Sequence, residues 1–278
     1  MPDITSFSIL IPTWNNLPYL ECCVKSILKN SAHVHQIILH INEGTDGTFD
    51  FAKQHAIDFT FSKENIGICK ALNKASALVS TGYIVYMNDD MYVCPGWDSE
   101  LLKKIPKNND LFMLSSTLIE HTGKDACRVH ADFGKSIETF REEELLNQVR
   151  SHAREDWQGS TWPPTLVTKK MWEKAGGYSE EFSPGLYSDP DFSMKLWQMG
   201  CRDFIGCGKS LVYQFQSKSL RRIQLNNGKK QFFEKWRIKS STFMKYFLRI
   251  GKKYDGKLPE PKRNIAFLTK RILDKFVF

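Results

Sequence analysis

The sequence predicts an α/β fold with a mainly parallel central sheet flanked by helices. Two observations carry that reading. Short apolar runs alternate with helical periodicity through the first hundred residues, and several of these runs end abruptly in polar clusters. The chain has 278 residues, 41% hydrophobic and 25% charged, a globular balance with enough length for one large domain or a domain with an appendage.

Phe7-Ser8-Ile9-Leu10-Ile11, closed by Pro12, reads as a buried first strand. Leu17, Leu20, Val24, Ile27 and Leu28 follow at helical spacing. Residues 36–41 form a second strand, closed by the turn cluster Glu43-Gly44-Thr45-Asp46-Gly47. Residues 57–61 are a weaker third strand, and Leu72, Ala75, Leu78 and Val79 mark a helix. Residues 83–87 are a fourth strand running into Asn88-Asp89-Asp90. Residues 115–157 read as irregular around one helix, 142–152. A short strand at 165–167, helices from Thr168 and near Asp189, and short strands within 201–212 complete the body. Residues 229–250 read as one basic helix. Strands joined through helices imply right-handed crossovers and a ligand site beyond the carboxyl ends of the strands, where the polar clusters fall.

Charge divides the chain. Residues 218–278 carry 18 Lys/Arg against 4 Asp/Glu, whereas residues 1–217 carry 21 against 27. The basic segment points to an anionic partner. Within it Phe232, Phe233, Trp236, Phe243, Tyr246, Phe247 and Ile250, flanked by Lys235, Lys239, Lys245 and Arg249, suit either a helix lying on an anionic membrane or one packing on the body. The seven cysteines form no CxxC pair, which argues for free thiols in a reducing compartment. Met-Pro-Asp-Ile is not a signal-peptide start, and no run reaches the ~18 apolar residues of a membrane span. The expectation is a cytoplasmic protein, at most peripheral on the cytosolic membrane face.

Two acidic clusters carry chemistry. Asn88-Asp89-Asp90 ends an apolar strand; neighbouring carboxylates repel, and their oxygens suit Mg²⁺ or Mn²⁺. A solvated turn explains the same residues. Ser188-Asp189-Pro190-Asp191 precedes a helical pattern, so one carboxylate can be an N-cap with proline in the first turn; the pair is harder to explain that way.

In order along the chain, Ser8 to Asn15, Glu43 to Thr48, Asn65-Ile66-Gly67 with Ala71 and Asn73, Tyr86 to Asp90, and Gly176 to Phe182 followed by Asp189 to Trp197 resemble the motifs of glycosyltransferase family 2. The resemblance covers about residues 6–219. It implies the GT-A, Rossmann-like fold over 1–219, with a nucleotide-sugar half at 1–115, an acceptor half at 116–219 and a basic helical extension at 220–278. It implies inverting transfer from a nucleotide-diphosphate sugar to a glycan or lipid-linked hydroxyl. Asp189 would be the general base. Asp90 and Asp89 would hold a divalent cation, Mn²⁺ or Mg²⁺. Pro12, Thr13, Asn15, Glu43, Asn65, Gly67, Lys70, Asn88 and Asp89 would bind the donor. Trp162, Trp157 and Asp191 would line the acceptor side, aromatic faces suiting sugar rings; core packing is the commoner fate of tryptophan, and helix-start stabilisation accounts for Asp191 equally.

The sequence departs from the family pattern in four places. Asn88 opens the metal triplet instead of Asp, Ser188 stands where Glu is usual, Leu72 precedes Asn73 where Arg is common, and Tyr213-Gln214-Phe215-Gln216 lacks a late histidine ligand. Lys70 would replace the arginine's charge, and Gln214 or Gln216 the histidine. An inactive carbohydrate-binding relative therefore stays open. A nucleic-acid-binding protein is disfavoured because strand-end carboxylates repel phosphate. A nucleotidyltransferase would need a Gly-rich basic loop after the first strand, and Thr13 to Leu17 has none. Oligomerisation is left open.

Overall fold

The computed structural model describes residues 6–122, 127–215 and 226–276. Its centre is a ten-stranded mixed sheet with two large cores, one on each face, and a smaller third core around Tyr92, Phe133 and Tyr213. β1 (Ser8–Trp14) pairs in parallel with β2 (Gln36–Asn42) and with β4 (Tyr83–Tyr86), and β2 pairs in parallel with β3 (Asp58–Ser62). Beyond β4 the order runs through β9 (Thr165–Thr168), β6 (Phe112–Glu120), β10 (Asp203–Gln214) and β5 (Met91–Val93). β9 lies antiparallel between β4 and β6, whereas β6 and β10 are parallel. β7 (Arg128–His130) extends β6, and β8 (Trp157–Gln158) pairs with β10.

The first four strands fall where the apolar runs place them: β1, β2 and β4 are β-rich runs buried on both faces, and β3 is a more exposed edge strand. The helices α1 (Leu17–Asn30), α2 (Thr48–Gln54) and α3 (Gly67–Ser76) make the crossovers. α1 turns Leu20, Val24 and Ile27 inward, and Pro18 sits in its first turn, where no intrahelical donor is lost. α4 (Trp97–Leu102) closes the same face through the fully buried Trp97.

Residues 112–120 correct the irregular reading of the middle. All nine residues of β6 are buried, and its Ser-Ser-Thr centre is satisfied from neighbouring elements. Ser115 shares a 2.6 Å bond with Ser160, Ser116 a 2.8 Å bond with Ser210, and Thr117 donates to the Cys207 carbonyl at 2.9 Å. Paired hydroxyls can be buried at little cost, which is why a polar-looking run sits mid-sheet. The helix expected at 142–152 is α5 (Glu142–Gln148) continued by a 3-10 turn, Val149–His152. The short strands expected at 201–212 form one bulged strand, β10.

The single helix expected at 229–250 is also corrected. α8 (Gly228–Trp236) stops where Arg237 turns left-handed at φ 54°; α9 (Ser240–Thr242) and a π turn, Phe243–Phe247, follow. Phe232, Ile238, Phe243 and Leu248 enter the core shared with α6 (Lys169–Ala175) and α7 (Ser188–Gln198). The apolar stripe of this segment therefore packs on the body. α10 (Ile265–Asp274) follows. No helix among the described residues is long and apolar enough to cross a membrane, and the seven cysteines are unpaired.

Candidate active site

The carboxyl ends of β1, β2 and β4 meet at one edge of the sheet. Asn42, at the end of β2, holds them in register. Its amide donates to the Thr13 carbonyl at 3.1 Å, and its carbonyl oxygen accepts from Ser62 Oγ and the Ile66 amide. Asn15 and Glu43 both adopt left-handed backbone, at φ 44° and 61°. Asn15 Nδ2 donates to Glu43 Oε2 at 3.0 Å, and Asn15 Oδ1 accepts from the Thr45 amide. Such conformations cost on the order of 1–3 kcal/mol each for non-glycine residues, and they concentrate at functional sites. Pro12 holds the strand just before this turn, in register with His40 of β2.

The next strand end brings the acidic triplet beside these residues. Thr13 Oγ1 donates to Asp89 Oδ2 at 2.8 Å. Asn88 Oδ1 accepts from the Tyr86 hydroxyl at 2.7 Å. Asp90 is buried next to β10, with Gln214 Nε2 at 3.5 Å from its Oδ1. Gln214 thus stands beside Asp90, while Gln216 lies outside the described residues. Among the described residues no three His, Cys, Asp or Glu side chains form a ready cage for a metal. The oxygens gathered here, the Asp89 and Asp90 carboxylates and the Thr13 hydroxyl, are hard donors, while Gln214 turns its amide nitrogen to Asp90. That set fits Mg²⁺ or Mn²⁺ held by one or two carboxylates, with the remaining ligands from water and substrate phosphate.

Asn65 and Gly67 form the facing wall. Asn65 Oδ1 accepts from the Gly67 amide at 2.9 Å, turning the chain into α3. Gly67 has φ +77°, and a Cβ there would lie 2.6 Å from Pro184 Cα. The adjacent Ile68 amide donates to the Pro184 carbonyl at 2.9 Å. Gly67→Ala is expected to cost about 1–3 kcal/mol from backbone strain and contact. Urea unfolding checks this; an unchanged midpoint would contradict the close approach. Lys70, on the first turns of α3, is exposed.

That wall leads directly to the second acidic cluster. Tyr187, left-handed at φ 69°, occupies the cap position of α7, so Asp189 is not the N-cap the sequence suggested. Its carboxylate accepts instead from the Tyr178 hydroxyl at 3.0 Å. Tyr178 is buried and meets Tyr86 edge-on, ring centroids 5.7 Å apart. An unbroken series of contacts, Asn88 to Tyr86 to Tyr178 to Asp189, therefore spans the two acidic clusters. Asp189 is half-buried, with its carboxylate held against the Tyr178 hydroxyl. Loss of hydration pushes its pKa up to about 7, with the Tyr178 hydrogen bond opposing the shift. Burial also drives both tyrosine hydroxyls well above their ordinary range, with Asp189 the largest charge contribution to each.

Two residues expected on the acceptor side lie elsewhere. Trp157 is 3% exposed; its indole N–H donates to Thr117 Oγ1 at 2.9 Å, and its ring fills the space above Gly206. It is core because β8 lies flat against β10. Asp191 is fully buried and faces α8. Trp236 Nε1 donates to its Oδ1 at 2.7 Å, and Lys235 Nζ lies 3.0 Å from the same oxygen. The indole and ammonium donors of α8 both meet Oδ1 and tie α7 to α8, while the buried Oδ2 has no hydrogen-bond partner among the described residues. Trp162 differs: it is half-buried, three residues before Thr165, which pairs with Tyr86 at the triplet's edge of the sheet.

Tyr178 and Asn42 were given no role from the sequence, although Asn42-Glu43 stood out as a polar strand end. Tyr178 was legible only as part of a motif, since nothing local predicts where its hydroxyl points. Asn42 carried a signal, a polar residue closing an apolar strand.

Comparisons with known proteins agree with this geometry. The family model described as glycosyl transferase family 2 matches residues 8–157. The chain is 31% identical over 118 residues to the processive diacylglycerol beta-glycosyltransferase of Mycoplasma genitalium, covering 39% of this chain and 35% of that protein. It is 28% identical over 122 residues to the putative teichuronic acid biosynthesis glycosyltransferase TuaG of Bacillus subtilis, covering 42% and 45%. The matched stretches thus span less than half of either relative. S. aureus TarS 1-349, solved in complex with UDP-GlcNAc, superposes with a TM-score of 0.59 at 13% identity, over 82% of this chain and 64% of that one. The mannosyltransferase PcManGT from Pyrobaculum calidifontis, in complex with GDP-Man and Mn²⁺, gives 0.55 at 16% identity, over 79% and 60%. These two likenesses show a shared GT-A architecture. With more than half of its length matched by the family model, and its strand-end motifs gathered at one edge of the sheet, the chain belongs to glycosyltransferase family 2.

Proposed function

We propose that this protein transfers a sugar from a nucleoside-diphosphate donor to a hydroxyl acceptor with inversion at the anomeric carbon. The observation that carries this reading is the contact series from Asn88 through Tyr86 and Tyr178 to Asp189. It holds a carboxylate of raised pKa at a fixed place relative to a pair of hard-oxygen donors. That is the separation of roles that nucleotide-sugar chemistry needs.

In this reading Asn15, Glu43 and Asn65 read the nucleoside through their amide and carboxylate edges, with Thr13 orienting Asp89. Pro12 and Gly67 let the backbone approach, and Lys70 adds positive charge near the phosphates. Asp90 and Asp89, with Asn88 and Gln214 beside them, would hold a divalent cation. Such an ion supplies Lewis-acid stabilisation of the departing diphosphate. Asp189 accepts the proton of the acceptor hydroxyl while that oxygen bonds to the anomeric carbon. The bond from that carbon to the phosphate oxygen breaks, and the diphosphate leaves with the electron pair. Attack from the face opposite the leaving group inverts the centre. A base with a pKa near working pH is well matched to this step, worth about 10²–10⁴-fold in rate. Tyr178 orients the carboxylate, and Trp162 offers an aromatic face to the acceptor ring.

The acceptor is a glycan or lipid-linked hydroxyl, in keeping with the diacylglycerol and teichuronic acid named for the two relatives. The seven unpaired cysteines support a cytoplasmic setting.

The test incubates the protein with UDP-, GDP-, dTDP- and CDP-sugars, Mn²⁺, and oligosaccharide or glycolipid acceptors. Released nucleoside diphosphate and the product's anomeric configuration by NMR are recorded. Transfer with inversion is the expected result. Retention of configuration would overturn the single-displacement role of Asp189.

A further inference from the structure

Large apolar side chains are exposed at nine positions among the described residues. Five of them, Ile265 (84%), Leu268 (48%), Ile272 (56%), Leu273 (51%) and Phe276 (77%), lie on α10 and the turn after it. Scattered single exposures are ordinary, but a cluster of five is not.

The cluster has one direction. α10 is docked to the body by its opposite face. Phe267 is buried against Tyr246 and Phe247, with ring centroids 5.2 and 6.0 Å apart. Asp274 is fully buried, accepting from the Lys239 amide and from Thr242 Oγ1 at 3.2 and 3.0 Å. At 3.6 residues per turn, Phe267 and Asp274 share one face. Ile265, Ile272 and Phe276 then fall on the far side, with Leu273 at one margin and Leu268 at the other, where it also lines a groove with Met194 and Trp236. Asn264 caps the helix through the Phe267 amide at 3.0 Å, so this face is rigidly presented.

Charge indicates what the face meets. From Pro261 to Phe276 the sequence has five cations, Lys262, Arg263, Lys270, Arg271 and Lys275, and one acid, the buried Asp274. Arg271 and Lys275 lie along one margin of the apolar face and Lys270 along the other. We propose that α10 lies in the plane of an anionic phospholipid surface, its apolar face in the acyl boundary and its cations among the headgroups. A second copy of this chain fits less well, since face-to-face pairing sets the cationic margins against each other. The segment at 229–250 has less apolar surface to offer, because Phe232, Trp236, Phe243 and Phe247 pack in or against the core. The proposal does not rest on the transfer reaction, and its readout is independent of activity.

Flotation with phosphatidylcholine vesicles, and with vesicles also containing phosphatidylglycerol, tests it on the full chain. Light scattering gives the oligomeric state and circular dichroism monitors folding. The wild type is expected to float with the anionic vesicles and to release as salt rises. Leu268→Glu with Ile272→Glu replaces exposed side chains and should weaken binding about tenfold or more. Arg271→Glu with Lys275→Glu, outside the apolar face, should weaken it about fivefold per cation. Failure to float, or flotation indifferent to both variants, overturns the proposal. So does a solution dimer that Leu268→Glu with Ile272→Glu dissociates while neither protein floats.

Discussion

Asp189→Asn is expected to lower transfer by about 10²–10⁴-fold while leaving donor affinity close to wild type. The amide is nearly isosteric and can still accept from Tyr178, so the site keeps its shape and loses only the proton acceptor. The pH dependence follows from burial. Asp189 must be ionised to act, and its pKa is raised to about 7 from an ordinary 3.8. Activity in the wild type should therefore climb as pH rises to about 7 and level off above it. Stability moves the other way. The folded state binds this proton more tightly than the unfolded chain, so Asp189 lowers stability as pH rises from about 4 to about 7. Asp189→Asn should consequently melt higher than wild type at pH 8 and no higher at pH 3. A variant that loses activity without gaining stability at pH 8 would show that lost hydration does not raise this carboxylate's pKa. Tyr178→Phe removes the hydrogen bond that opposes the shift, and should move the activity limb to higher pH with little change in donor KM.

The second large effect is expected at Asp90. Asp90→Ala removes a carboxylate buried beside Gln214, while the backbone carbonyl of residue 90 still accepts from the Phe215 amide at 3.1 Å. Loss of a cation ligand of this kind is worth several kcal/mol, so activity at fixed Mn²⁺ should fall on the order of 10²-fold or more. Raising Mn²⁺ should recover part of it, because Asp89, held by Thr13, remains. Asp89→Ala with Asp90→Ala should not respond to metal at all. Equal Mn²⁺ dependence in Asp90→Ala and wild type would remove Asp90 from the ligand set.

Much of this architecture was legible in the sequence. β1, β2 and β4 are buried on both faces, and continuous apolar runs announce such strands directly. Their polar ends were equally plain, and Thr13, Asn15, Glu43 and the 88–90 triplet do gather at one edge. β6 was not legible because its Ser115-Ser116-Thr117 centre looks solvated until Ser160, Ser210 and Cys207 supply partners from at least 45 residues away in sequence. The break after α8 was hidden for a related reason. Arg237 is an unremarkable helix former, and its left-handed turn is set by packing Phe232 and Phe243 into one core. Trp157 and Asp191 were misplaced by composition alone. An indole near a proposed sugar site and an acid beside a base both suggest ligand contact, yet each is claimed by a partner, Thr117 and α8, distant in sequence. α10 shows the reverse: its cations were counted, but only docking through Phe267 and Asp274 reveals which face stays open.

Calorimetric titration of UDP, GDP, dTDP and CDP into the wild-type protein, with and without Mn²⁺, tests the central claim most directly. One nucleotide should bind markedly more tightly with the metal present, which would identify the donor base as well as the diphosphate site. Absence of binding by all four under both conditions would contradict the account, whatever else the fold shares with its family.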